Sequence, residues 1–223
     1  MRARRARTGH RSLARSRRPL TPSPGTLTAT LFAAWLIGTV PTAWLAVRIL
    51  RGQDLRNIGS GNIGATNAGR VLGRSGFLVV ATVDAAKGAG ATLLVSYVAP
   101  DLAAWGGTLA VVGHCWPPWL AFAGGKGVAS LLGSVAVLSP LTAVASIVIW
   151  CLVAAWARIA SVASLCAVGV IGAIQLVQGT TEHRAALLTA CLIVFLQHRD
   201  NLTRLRTGDE PRLGQQRKSH RTS

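Results

Sequence analysis

Charge is scarce over most of this chain: only 14% of its 223 residues are Asp, Glu, Lys or Arg, while 50% are hydrophobic. A water-soluble domain of this length carries more charge, so the shortage points to one membrane-embedded bundle. Paired cysteines are also missing. Cys115, Cys151, Cys166 and Cys191 form no CxxC, and three of them lie in apolar runs. That spacing supports neither a metal site nor a disulfide set, so they read as small buried residues in helices. No stretch alternates apolar and polar residues with period two, which argues against a transmembrane barrel. "SRRPLT", Ser16 to Thr21, faintly resembles a twin-arginine export signal. The apolar stretch after it is long for a signal core and lacks an A-x-A cleavage site.

Positive charge is present, and its placement matters. The formal net charge is +17, a value a nucleic-acid binder could show. Eight arginines precede Pro19, seven Lys/Arg follow Gln197, and five lie between Arg48 and Arg74. Basic residues at the ends and in one loop of an apolar chain fit membrane topology better than a DNA-reading face, and no nucleic acid is expected as a partner. Residues 1–26 are rich in Arg, Ser and Pro without apolar period, and read as a disordered tail. Residues 27–210 form the membrane domain, and 211–223 read as a second disordered basic tail.

A helix crosses a bilayer with roughly 20 apolar residues. The segments Leu27–Val47, Phe77–Val98, Leu102–Ala121, Gly127–Leu138, Pro140–Ala157, Ile159–Val177 and Ala185–Gln197 predict an all-α, seven-helix integral-membrane bundle. The fourth and seventh are short, and "GHCWPP" interrupts the third. With seven spans, the loop 48–76, the turns at Lys126 and Arg158, and the C-terminal tail share one side. The other side's loops carry only Arg184. The basic side should face the cytoplasm of a multi-pass cell (inner) membrane protein. The arginine tail then falls outside, against the rule. Met1 is the only methionine, so a later start would need a non-AUG codon.

"GSGNIGATNAGR", residues 59–70, interrupts the apolar pattern. Gly59, Gly61 and Gly64 spell GxGxxG, with Asp84 twenty residues beyond Gly64. A dinucleotide site needs a strand before the motif and a βαβ unit around it, and here an apolar helix precedes it. "GGKG" around Lys126 is no Walker A loop either, because Gly127 follows the lysine where Ser or Thr is needed. What remains is anion-friendly chemistry. Glycines let backbone N–H groups turn toward an oxyanion, as Gly61, Gly64, Gly124 and Gly125 would. Ser60, Asn62, Thr66 and Asn67 add short donors, and Arg70 and Lys126 add charge. Each stretch read alone fits an ordinary solvated loop equally well.

Polar residues inside the apolar runs add weight. Asp84 and Lys87 lie three apart on one helix face and can neutralise each other. Each costs about 2.5–3.5 kcal/mol at mid-membrane, so such residues mark a site or a required ion pair. His114 precedes Pro117 and Pro118, which break the helix and free backbone groups. His198 and Asn201 share a face at the mouth of the last span. Ser164 alone reads as a packing serine.

Taken in order, "GSGNIGATNAGR", "DAAKG", "GHCWPPWLAFAGGKG", "RIASVAS" and "HRDNLTRL" resemble the acylphosphate-dependent glycerol-3-phosphate acyltransferase family, the bacterial integral-membrane type called PlsY. The likeness spans roughly Leu27 to Glu210. It implies a seven-helix enzyme moving a fatty acyl group from acyl phosphate to the 1-hydroxyl of sn-glycerol 3-phosphate, giving lysophosphatidic acid for phospholipid synthesis. It implies no metal, no cofactor and no acyl-CoA or acyl carrier protein as direct donor. Besides the two substrates and membrane lipids, no obligate protein partner is evident.

The resemblance assigns Ser60 and Arg70 to phosphate binding. It also matches Lys126, Ser164 and the His198–Asn201 pair to the transfer site, and Asp84, Lys87 and His114 to motif positions. One departure stands out: the family commonly reads F-K-G-G-K-G, and Ala123 replaces the first lysine. The H-x-x-x-x-D motif of soluble acyltransferases is absent, and the proton acceptor is left open: His198 acts as base or merely holds the glycerol phosphate, or the donor's own phosphate takes the proton. The competing readings are a small transporter of phosphorylated metabolites and a structural or nucleic-acid-tethering membrane protein.

Overall fold

The computed structural model describes residues 22–214. The arginine-rich stretch, the "SRRPLT" motif and the last basic residues lie outside them or at their edge, so most of both expected tails is not described. Among the described residues the chain is all-helical, with no strand. The first helix, α1 (Pro24–Thr39), starts within the expected tail. Ser23 caps it, its Oγ accepting from the Thr26 N–H at 3.1 Å, and Pro24 sits at the first helical position where no N–H is needed.

Each of the seven apolar segments is helical, but the boundaries differ for identifiable reasons. The first segment is broken at Pro41, and α2 (Thr42–Arg51) continues beyond it. Proline has no N–H and pushes Val40 out of the helical region. The second helix-forming run begins twelve residues early. Helix α3 (Ala65–Val98) takes in Thr66, Asn67 and Arg70, which the sequence placed in a loop, and it kinks at Gly73 (φ 77°).

Helix α4 (Ala103–Cys115) stops short of Ala121 because Pro117 and Pro118 cannot extend it. The chain then makes a 3-10 turn, and Ala121 (φ 50°) and Phe122 (φ 62°) adopt left-handed backbone that reverses it. Next come α5 (Val128–Leu138), α6 (Pro140–Ala157) and α7 (Ala160–Gln178). Helix α8 (Thr181–Leu196) starts four residues before expected, because Thr180 accepts from the His183 N–H and caps it. Helix α9 (Arg199–Thr207) lies within the expected membrane domain, past the last apolar segment, where hydropathy predicts no span. It is short, basic and polar.

By length and composition, four stretches can cross a membrane: Pro24–Arg51, Ala65–Val98, Pro140–Ala157 and Ala160–Gln178. The α4, α5 and α8 helices are shorter and lie against these. Helices α3 and α4 form the centre, with α1 and α5 packed on both and α8 on α4. Small residues bring the axes close. A Cβ on Gly88 would stand 1.8 Å from the Ser130 carbonyl oxygen, and one on Gly133 1.8 Å from that of Ala85. Hydroxyls bridge what apolar packing leaves: Thr92 to Ser134 at 2.8 Å, and Thr108 to the Ala186 carbonyl at 2.9 Å. This alternation brings the connections 52–64, 116–127 and 197–214 to one end of the bundle.

Candidate active site

Asn67, in the first turn of α3, organises the first loop. Its amide N–H groups donate to the carbonyls of Ile58 (2.8 Å), Asn62 (2.9 Å) and Leu55 (3.3 Å). Its carbonyl accepts from the Ser60 N–H (3.2 Å) and from Arg70 Nη1 (3.3 Å). Gly59 (φ 60°) must be glycine here, since a Cβ would lie 2.3 Å from Asn67 Oδ1. Nearby, Arg56 and Trp44 both donate to Asp54, which holds the Asp54 carboxyl far below its ordinary range. Asn67 is therefore a knot for the loop rather than a donor turned to a ligand.

The second loop is tied in the same manner. The Gly124 and Gly125 N–H groups donate to the carbonyls of Cys115 (3.1 Å) and His114 (3.0 Å), and Gly61 donates to Ile58 (3.0 Å). The expected nest of upturned amides is thus not formed at these positions. The broken end of α4 leaves carbonyls that need donors, and the glycines supply them. Asn62 joins the two loops, its Nδ2 3.4 Å from the Gly124 carbonyl, and Gln197 reaches the Gly125 carbonyl at 3.4 Å.

Asp84, Lys87 and His114 form a buried brace beneath these loops. Lys87 Nζ lies 2.7 Å from Asp84 Oδ1 and donates to the Val40 carbonyl at the Pro41 break (2.6 Å). His114 Nδ1 is 3.7 Å from the same carboxylate. Gly125 presses on the imidazole, where a Cβ would sit 2.0 Å from Nε2. Lys87 is satisfied by protein groups and lines neither cavity described next.

Two adjoining cavities meet at this end, of about 360 and 450 Å³. The first is lined by loops and α9, with Gly61, Gly124, Gly125, Ala123, Arg199 and Arg204 on its walls. Ala123, where the family commonly has lysine, faces this space. The second runs between α3, α5, α6 and α7 along Phe77, Leu78, Leu132, Ile147 and Trp150. Gly64, Thr66, Arg70, Asp84, His114, Ser164 and His198 also line it. Ser60, Asn62, Lys126 and Asn201 line both, and so stand where a polar space joins an apolar one.

Lys126 Nζ donates to Asn201 Oδ1. Burial draws its pKa down to about 8, against the opposing pull of Glu210. His198 Nδ1 meets the Val194 carbonyl at 2.7 Å. A carbonyl only accepts, so Nδ1 carries the proton and Nε2 keeps its lone pair. Burial, then the nearby Lys126 charge, lowers His198 to about 4, and the ring is neutral near pH 7. Ser164 Oγ accepts from the Trp150 indole at 3.1 Å. Trp150 stacks on Phe77, and neither aromatic stood out in an apolar run. The sequence also gave no signal for Ser161, Arg204 and Glu210, which meet here through a connection set by tertiary structure. Among the described residues, no cluster of three His, Cys, Asp or Glu has the makings of a metal site.

The family model for glycerol-3-phosphate acyltransferase matches residues 28–208. The chain belongs to this family. The acyltransferase is 42% identical over 198 residues to glycerol-3-phosphate acyltransferase 1 of Deinococcus radiodurans, covering 85% of this chain and 98% of that one. It is 38% identical over 196 residues to the Rhodospirillum rubrum glycerol-3-phosphate acyltransferase, covering 84% and 91%. Its fold is similar to the crystal structure of PlsY, an integral membrane glycerol 3-phosphate acyltransferase, in its glycerol 3-phosphate form. The TM-score is 0.79 at 32% identity, over 85% of this chain and 96% of that one. The lysophosphatidic acid form of PlsY matches at a TM-score of 0.77 and 29% identity, with the same coverage. An enzyme reading is supported by this kinship and a transporter reading is not.

Proposed function

We propose that this glycerol-3-phosphate acyltransferase takes its acyl group from an acyl phosphate and delivers it to the 1-hydroxyl of sn-glycerol 3-phosphate. One observation carries the reading: a polar cavity and an apolar, interhelical one share a wall made of Ser60, Asn62, Lys126 and Asn201. A substrate with a charged head and a hydrocarbon tail fits such a junction. The tail would lie along Phe77, Leu132, Ile147 and Trp150, and the reacting carbonyl would stand at the shared wall. Arg199 and Arg204 line the polar side and suit the second phosphate.

In the transfer, the hydroxyl oxygen bonds to the acyl carbon, the carbon–oxygen bond to phosphate breaks, and inorganic phosphate leaves. The donor is already activated, so the protein's work is alignment and charge stabilisation. With the amides of Ser60, Gly61, Gly124 and Gly125 engaged internally, side-chain cations carry much of that task, Arg70 and Lys126 above all. His198, neutral and with Nε2 unprotonated, accepts a hydrogen bond from the attacking hydroxyl. A pKa near 4 makes it a poor proton store at neutral pH, so the departing phosphate is the better final acceptor. The basic loops support placing this end of the bundle at the cytoplasmic face of the inner membrane.

The test is incubation of the purified protein with palmitoyl phosphate and glycerol 3-phosphate, followed by lipid analysis. Lysophosphatidic acid with stoichiometric phosphate is the expected product. Acylation from acyl-CoA but not from acyl phosphate would overturn the donor assignment.

A further inference from the structure

Two residues beyond the stretch that the family model matches, Glu210 turns back into the site. The segment carrying it is pinned on both sides. Gly208 takes left-handed backbone, and Asp209 N–H donates to the Arg204 carbonyl at 2.8 Å. Leu213 N–H donates to the Arg158 carbonyl at 2.6 Å. Between these anchors the Glu210 side chain is 7% exposed. Its Oε1 accepts from Ser161 Oγ (2.7 Å) and from Asn201 Nδ2, and its Oε2 from Arg204 Nε (2.8 Å). A buried anion is an odd neighbour for a site meant to receive two phosphates, unless it does something for the cations there.

Asn201 links it to them. The same amide gives its N–H to Glu210 and its carbonyl to Lys126. Turned over, it would set its NH2 against an ammonium and its carbonyl against a carboxylate. Each partner therefore selects the one orientation that serves both. We propose that Glu210 is a positioning residue of the transfer site, acting through Asn201 to set where the Lys126 ammonium stands. This rests on the reading of Lys126 as a phosphate-binding cation.

The carboxylate has a second effect on the same lysine. Burial lowers the Lys126 pKa, and Arg204 and Arg70 act in the same direction. Glu210 and, less strongly, Asp200 oppose them, while the adjacent His198 is neutral at working pH. Burial works to raise the Glu210 carboxyl itself. The hydrogen bonds from Asn201, Ser161 and Arg204 outweigh it and keep the group ionised. Losing that charge lowers the Lys126 pKa further, so less of the lysine is protonated at any pH near neutrality.

The experiment compares wild type, Glu210→Gln, Glu210→Asp and a chain ending at Gly208 in acyl transfer across pH. Wild-type transfer is expected to fall as pH rises through about 8. In Glu210→Gln this fall begins about one unit lower. Its deficit is then roughly tenfold on the alkaline side and shrinks to about threefold or less in mild acid. The chain ending at Gly208 behaves as Glu210→Gln does, and Glu210→Asp moves the limb back toward wild type. An unmoved alkaline limb overturns the proposal, as does a loss of activity equal at every pH. If Glu210→Gln yields no folded protein, glycerol 3-phosphate binding by the Gly208-terminated chain reads the same pH shift. Absence of transfer by wild type would instead count against the proposed donor chemistry, and inorganic phosphate binding by wild type and variants would still report on Glu210.

Discussion

Lys126 lines both cavities and Arg70 the apolar one, and their expected roles separate from that of Asn67 near Arg70. Charge-assisted hydrogen bonds contribute about 1.5–3 kcal/mol, so Lys126→Ala and Arg70→Ala should each lower transfer at least about tenfold. Steady-state turnover of monodisperse protein measures this, and near-normal rates would remove either residue from the site. Asn67→Ala should act differently. It strips the donors from three loop carbonyls and leaves the Ser60 N–H without its acceptor. A cost of about 1–3 kcal/mol in stability is expected, read as a lower unfolding temperature in detergent. Ala123→Lys restores the charge usual in the family on the wall of the polar cavity. Its expected effect is a lower KM for glycerol 3-phosphate with kcat little changed, as for added ground-state binding.

At the scale of elements, α3 and α5 decide where Lys126 and Asp84 stand relative to each other. Their contact depends on bare backbone at Gly88 and Gly133. Gly133→Ala forces a methyl within 1.8 Å of the Ala85 carbonyl oxygen unless the helices separate. Overpacking of this sort costs about 1–3 kcal/mol. In contrast, Gly169→Ala on α7 meets nothing within 4 Å. There the gain in helix propensity, about 1 kcal/mol, should raise stability slightly. Thermal unfolding of the two variants in one detergent tests the contrast. Equal shifts would mean that the α3–α5 crossing is not tight.

Across the whole molecule, chain alternation sets the first-loop, GGKG and C-terminal segments at one end and the turns near 99–101, 139 and 179–180 at the other. Glu182 and Thr207 are both exposed and belong to opposite ends. Glu182→Cys should react with a membrane-impermeant maleimide on intact cells. Thr207→Cys should react only after permeabilisation, with Cys151 and Cys166 replaced in both to remove background. The reverse labelling pattern would put the site outside.

Hydropathy alone located the apolar helices, though not the polar α9, because an apolar run inside lipid must satisfy its backbone internally whatever surrounds it. Local chemistry likewise marked Ser60, Arg70 and Lys126, since short donors and cations beside apolar runs are conspicuous, whereas Ser164, His198 and Asn201 stood out only through the family resemblance. Boundaries were less legible: α3 begins at Ala65, twelve residues before its apolar run, and the α8 start at Thr181 rests on the Thr180 cap, which hydropathy ignores. What the groups do was decided only by the fold. Donors in Asn67, Gly124 and Gly125 looked free for a ligand, yet the carbonyls left at the loop turns and at the broken end of α4 took them. Glu210 looked like the edge of a tail, yet the return of the chain over α7 buried it beside Asn201. Hydrogen-bond partners are set by which segments meet in space, and a one-dimensional pattern of polar and apolar residues does not contain that information.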